Sequence, residues 1–219
     1  MSRTGHFIYI GIFVAISSVA LLSLAYYGKP YYSVSLEDRF YHPGHESLKS
    51  SGYIGHGLGI AGTLCIIIGV GTYMARKRFH FLSRIGVLKY WLEFHIFLCV
   101  LGTILVIFHA AFKVGGLAAV SFWSMIIVFT SGIAGRFIYI QIPRSIDGRE
   151  LDQVEAIKLK SIALARNDTR LARQIERMEV TKNLFRYWHI FHLPFALLMH
   201  FFMIIHVLVT IVLGYRWIF

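Results

Sequence analysis

The stretch Trp91–Lys113, WLEFHIFLCVLGTILVIFHAAFK, is an apolar run carrying histidines at His95 and His109. A second run, Tyr187–Gly214, YWHIFHLPFALLMHFFMIIHVLVTIVLG, repeats that spacing with His192 and His206. On an α-helix, fourteen steps return to within about 40° of the starting direction and climb about 21 Å. Each run is therefore expected to present two imidazoles on nearly one face, at depths near opposite leaflets. Two such helices side by side and running in the same direction set out two pairs, His95 with His192 and His109 with His206.

Working outward, the chain of 219 residues is 57% apolar and 16% aromatic, with a mean hydropathy of +0.63. That is too hydrophobic for an ordinary soluble domain. Crossing a hydrocarbon core takes about 20 apolar residues, and five segments qualify: roughly 6–27, 52–74, 91–113, 118–142 and 187–213. The expected fold is an all-α integral membrane bundle of five transmembrane helices forming a single domain. The first segment is long, ends in Tyr26 and Tyr27 and lacks a small-residue cleavage site, so it reads as a helix facing lipid, not a leader.

The formal charge of +11 raises the question of a nucleic-acid partner, and its placement argues against one. Arg76, Lys77, Arg78, Arg84 and Lys89 fall between the second and third segments with no acid among them. Ten Lys/Arg face seven Asp/Glu between residues 144 and 186, whereas the 28–51 loop is balanced. The positive-inside rule makes the two basic connections cytoplasmic, with the N-terminus inside and the C-terminus outside. The basic excess then reads as a topology signal with affinity for anionic lipid. Within 144–186, Leu151, Val154, Ile157 and Ile162 suggest one amphipathic helix, and Leu171, Ile175 and Met178 a second after a turn at Asn167-Asp168. They form an expected cytoplasmic helical hairpin, a cover on the lipid surface or a platform for a soluble redox subunit.

The remaining candidates sit around the histidine pairs. Gly102 falls seven residues from both His95 and His109, on the same face, where a side chain would collide with anything flat held between those depths. The second segment is rich in glycine, and Gly55 with Gly59 is a small-residue pair suited to close helix packing. His56 lies near the outer end of that segment, Glu93 near the cytoplasmic surface as an expected solvated acid or proton acceptor, and Arg136 two turns inside the end of the fourth segment. His189, one turn nearer the surface than His192, is the alternative inner ligand, and His200 points about 80° away from His192, toward a backbone carbonyl or the space between cofactors. His42 and His45 form a loop His-x-x-His pair without further ligands nearby. Cys65 and Cys99 lie inside apolar segments, and no C-x-x-C-H occurs, so a covalently attached c-type haem is not expected.

Two imidazoles facing one another across a helical core are a natural way to hold a haem iron, and the paired spacing predicts two haem b groups on His95, His109, His192 and His206. Arg136 then either pairs with a haem propionate or snorkels to headgroups. His56 either touches a propionate, serves a quinone, acts as an alternative ligand or sits at the interface. The pattern over residues 52–213 resembles the membrane domain of the ferric reductase and NADPH oxidase superfamily, and cytochrome b of the bc-type complexes, in which alternate helices bind two stacked haems. That resemblance implies the same four histidines as axial ligands. The chain departs from it in having no sixth span, no flavin or nicotinamide domain and no extension after Phe219. The segment Trp188–Pro194 resembles small bacterial cytochrome b subunits that work beside iron–sulfur, flavin or multihaem partners. The expectation is an electron-transfer subunit of a respiratory-chain oxidoreductase in a bacterial inner membrane, passing electrons between a quinone pool or redox subunit and a partner. The rival readings are a histidine-lined proton or metal transporter and a haem-free membrane anchor.

Overall fold

The computed structural model describes residues 3–141, 158, 161–162 and 169–218. Among the described residues the regular structure is helical throughout: α1 Arg3–Tyr32, α2 His45–Leu48, α3 Tyr53–Arg78, α4 Leu88–His109, α5 Gly116–Gln141 and α6 Thr169–Ile218. Five of these helices carry a segment long and apolar enough to cross a membrane. Large apolar side chains such as Ile12, Val19, Leu22, Leu64, Leu197 and Val212 are exposed along them, as helices solvated by acyl chains require. The chain is an all-α integral membrane protein.

Three boundaries differ from the sequence reading. The first span does not stop near residue 27: α1 runs on through Pro30 to Tyr32. A proline this close to a helix end removes one intrahelical bond, and the Tyr32 carbonyl is held by Arg39 Nη2 at 2.8 Å. The third span ends at His109, not near Lys113: Ala111 and Phe112 take left-handed φ values of 48° and 58°, which no continuing helix adopts. The second arm of the expected hairpin, Leu171, Ile175 and Met178, belongs to one unbroken 50-residue helix, α6, together with the last span. Most of the first arm lies outside the described residues.

The chain divides into two compact units, residues 1–119 and 120–219. In the first unit α3 and α4 run antiparallel and cross at glycine. A Cβ on Gly62 would fall 2.9 Å from the Gly102 carbonyl oxygen, and one on Gly102 would fall 2.8 Å from the Gly62 oxygen. Backbones this close need the missing side chains. Helix α1 joins α4 through aromatic rings, with Phe13 stacked on Phe97 at 4.2 Å and the Tyr9 hydroxyl donating to the Tyr90 carbonyl at 3.4 Å. The basic connection between α3 and α4 is pinned by buried Arg76, which donates to the carbonyls of Ile85 at 3.2 Å and Gly86 at 3.0 Å. Gly86 supplies the φ of +63° this turn needs.

In the second unit α5 and α6 also run antiparallel. Ser121 Oγ donates to the Met199 carbonyl at 3.1 Å, Trp188 Nε1 donates to the Ser131 carbonyl at 2.6 Å, and Met125, Met199 and Met203 are buried. Gly135 lies beneath the Trp188 indole, where a Cβ would overlap the ring.

Candidate functional site

Helix α4 carries His95 and His109, and both rings turn toward α3. His95 Nδ1 lies 3.0 Å from the Gly69 carbonyl oxygen, and His109 Nδ1 lies 2.8 Å from the Gly55 carbonyl oxygen. A carbonyl only accepts, so Nδ1 carries the proton in each ring and Nε2 is left as the lone-pair nitrogen of the neutral imidazole. The pairs Gly55 with His109, Gly62 with Gly102 and Gly69 with His95 follow one antiparallel register, stepping seven residues along both helices. Seven residues rise about 10.5 Å, so the two bonded imidazoles sit about 21 Å apart with the glycine crossing midway.

Local chemistry fixes each ring further. A Cβ on Gly59 would lie 2.6 Å from His109 Nδ1, so this glycine makes room for the imidazole one turn from the carbonyl that orients it. His95 stacks on Tyr73 at 5.3 Å with 29° between planes and has Cys99 Sγ 3.6 Å from Nδ1. Gly102 shares the histidine face as expected, but what it admits is α3: a Cβ would fall 2.7 Å from Ile66. Clearance for a flat cofactor is not needed to explain it.

In the second unit His192 stacks on Trp188 at 4.7 Å and 27°, and its Nδ1 lies 2.7 Å from Ser131 Oγ. The hydroxyl gives its one proton to the Val128 carbonyl at 3.0 Å, so it accepts from His192 Nδ1–H. His192 is thereby placed in the same tautomer as His95 and His109. His200 donates Nδ1–H to the Ala196 carbonyl one turn back at 2.7 Å, and its buried Nε2 has no hydrogen-bond partner among the described residues. His206 and His189 are exposed on α6. His189 adjoins Trp188, with ring centres 5.9 Å apart. His56, half-buried, lies in the first turn of α3 with its backbone N–H on the Gly52 carbonyl at 2.7 Å. Arg136, half-buried, follows Gly135 on α5.

Three groups escape a reading of spacing alone. Glu93 is not solvated: it is 4% exposed, with Lys89 Nζ at 3.8 Å and His6 Nε2 at 3.5 Å from its Oε1. Arg39 is buried and bonded to three carbonyls. Ser131 orients His192 from the neighbouring helix. The loop histidines are engaged locally, His42 Nδ1 accepting from the Gly44 N–H at 3.0 Å and His45 Nδ1 lying 3.1 Å from the Tyr31 hydroxyl.

Comparison with known protein families, with characterised proteins and with solved structures yields no match for this chain. Among the described residues, no three His, Cys, Asp or Glu side chains come together as a metal site. A porphyrin iron asks less of a protein, since the macrocycle fills four positions and only two axial donors are needed.

Proposed function

We propose that this integral membrane protein is a di-haem cytochrome b that carries electrons across the bilayer as one subunit of an oxidoreductase complex. The observation that carries the reading is the pair of imidazoles on α4, one near each end of the span, each with its Nδ1 proton committed to a backbone carbonyl. A hydrogen bond at that nitrogen fixes the tautomer, orients the ring and raises the basicity of the opposite nitrogen, which is how metal-ligating histidines are commonly supported. His192 with Ser131 repeats the device in α6. The donor set therefore fits a low-spin haem with two imidazole ligands, and the proposal pairs His95 with His192 and His109 with His206.

A haem held by these imidazoles would supply one-electron chemistry and would favour electron transfer over dioxygen activation. The rest falls to the chain. Apolar spans exclude water, Tyr73 and Trp188 hold ring planes, and the α3 glycines bring the orienting carbonyls within reach. Arg136 and His56 are the candidates for propionate or quinone contacts, and His189 the substitute for His192. The partners proposed are an iron–sulfur, flavin or multihaem subunit and a quinone pool. The proposed setting is a bacterial inner membrane, N-terminus inside, where the 76–89 connection meets anionic headgroups.

One observation favours the rival transport reading, the buried Glu93 beside His6 and Lys89, since ionisable groups at membrane depth mark ion and proton paths. An absorption spectrum separates the two. The purified protein, expressed with ample haem, is expected to give sharp α and β bands on dithionite reduction. A colourless preparation overturns the cytochrome.

A further inference from the structure

We infer that the groove between the ends of α1 and α4 binds one anionic phospholipid, with Lys29 on the headgroup phosphate. The inference stands apart from the haem reading. It places a lipid site at the end of the first unit opposite the basic 76–89 connection.

The groove holds about 320 Å³ and is lined by Ala25, Lys29, Tyr32, Ser33, Phe108 and Phe112. Ala25, Lys29 and Tyr32 recur at helical spacing on one face of α1, over the last two turns of a span that ends at Tyr32. Ala25 lies one turn deeper than Lys29. Exposed Tyr26 and Tyr27 stand between these levels, and tyrosines at the end of a span mark the plane where acyl chains give way to headgroups. The groove therefore meets that plane with apolar walls on its deep side and an ammonium at its rim.

Contacts within the first unit fix the walls. The Tyr32 hydroxyl donates to the Phe108 carbonyl at 3.3 Å, and the Tyr32 ring meets Phe108 at 5.5 Å and Phe112 at 5.3 Å. Phe112 reaches that position from a left-handed backbone, φ 58° after 48° at Ala111. A bulky residue adopts this conformation rarely, and keeps it only where its surroundings hold it. Arg39, on the loop after α1, ties the two helix ends together by donating to the carbonyls of Tyr32 and Ala111. The groove is thus framed before any ligand arrives.

Its electrostatics select an anion. Carbonyl oxygens at a helix C-terminus repel phosphate, but the Tyr32, Ala111 and Phe108 carbonyls already accept from Arg39 and from the Tyr32 hydroxyl. Lys29 keeps its charge uncommitted: among the described residues its ammonium has no hydrogen bond or ion pair, whereas Lys49 and Lys89 each face a glutamate. An ammonium without a counter-ion above an apolar groove matches a phosphate carried on acyl chains. A zwitterionic headgroup, which brings its own cation, matches it less well.

Native mass spectrometry of the full chain, released from mixed bilayers of phosphatidylcholine and phosphatidylglycerol, tests this. The wild type is expected to keep one phosphatidylglycerol per chain, enriched about fivefold over its share of the bilayer, the preference one lysine supplies at a headgroup. Lys29→Gln should erase that enrichment. Ala25→Phe, which fills the groove and leaves the charge, should release the bound lipid. Lys113→Gln removes an exposed cation that follows Phe112 without lining the groove, and should behave as the wild type. Equal retention of the two lipids by the wild type overturns the inference, as does an equal loss in the Lys29 and Lys113 variants, which marks diffuse surface charge. Displacement of the phosphatidylglycerol by inorganic phosphate reveals a bare anion site, and displacement by ubiquinone a quinone site; either result also overturns it. If Lys29→Gln does not fold, Ala25→Phe against Lys113→Gln decides.

Discussion

His109 donates its Nδ1 proton to the carbonyl oxygen of Gly55 at 2.8 Å, and fourteen residues earlier on the same helix His95 does the same to Gly69 at 3.0 Å. The spacing of the histidines on α4 is matched by the spacing of the two glycines on α3, and antiparallel packing turns the match into contacts. Both rings are thereby held in one tautomer at two depths.

Gly59 should be intolerant of any side chain. Gly59→Val places carbon where the His109 ring lies, since even a Cβ would come within 2.6 Å of it. The ring must leave the Gly55 carbonyl, at an overpacking cost of about 1–3 kcal/mol. The expected outcome is a haem content falling from two toward one per chain, with Gly57→Val as the control, because nothing lies within 4 Å of its Cβ position. Haem per polypeptide from the pyridine haemochrome spectrum measures it.

Ser131→Ala should loosen His192. The half-buried ring then loses the acceptor for its Nδ1 proton, and leaving such a donor unmet costs about 1–3 kcal/mol. Support of this kind is worth about 10–100-fold in cofactor affinity. Titration of the apoprotein with limiting haem should show one of two sites weakened by that factor, while Ser121→Ala, whose hydroxyl serves the Met199 carbonyl, leaves both sites as they were.

Gly102→Leu should separate α3 from α4 at their crossing. The side chain meets Ile66 and the Gly62 carbonyl, so both histidine levels suffer together. A lowered thermal midpoint with parallel loss of both haems is expected, and loss of one haem alone would show that Gly102 acts at a single level.

Glu93→Gln should destabilise the α1–α4 contact. Removing the carboxylate leaves Lys89 and His6 without the charge they face. Because those two side chains are partly exposed, the cost stays at about 1–3 kcal/mol, below that of a fully buried broken pair. Denaturant melts of wild type and variant measure it. Equal stability would mean that the cluster is held by packing alone.

These contacts also show what the sequence could reveal. Five apolar runs specified five spans because bilayer thickness leaves few alternatives, and fourteen-residue spacing put His95 and His109 on one face because helix geometry is fixed. The matching step from Gly55 to Gly69 was visible too, yet glycine advertises room, and the oxygen that room brings close leaves no mark on composition. Arg39 was hidden by its acidic neighbours Glu37 and Asp38, which make the loop look neutral, and its carbonyl partner Ala111 is 72 residues away. Glu93 looked solvated because His6, on another helix, lies far from it in sequence. Residues 28–32 read as the start of the 28–51 loop, but α1 continues through Pro30 and its end is held by Arg39 on the Tyr32 carbonyl.

The central claim, that four named histidines hold two haems, is tested most directly by counting haem in single variants. His109→Ala and His206→Ala should each keep one haem per chain, the same one in both, with the spectrum and potential of the site at His95. Retention of two haems in either variant, or loss of different haems in the two, would contradict the ligand pairing.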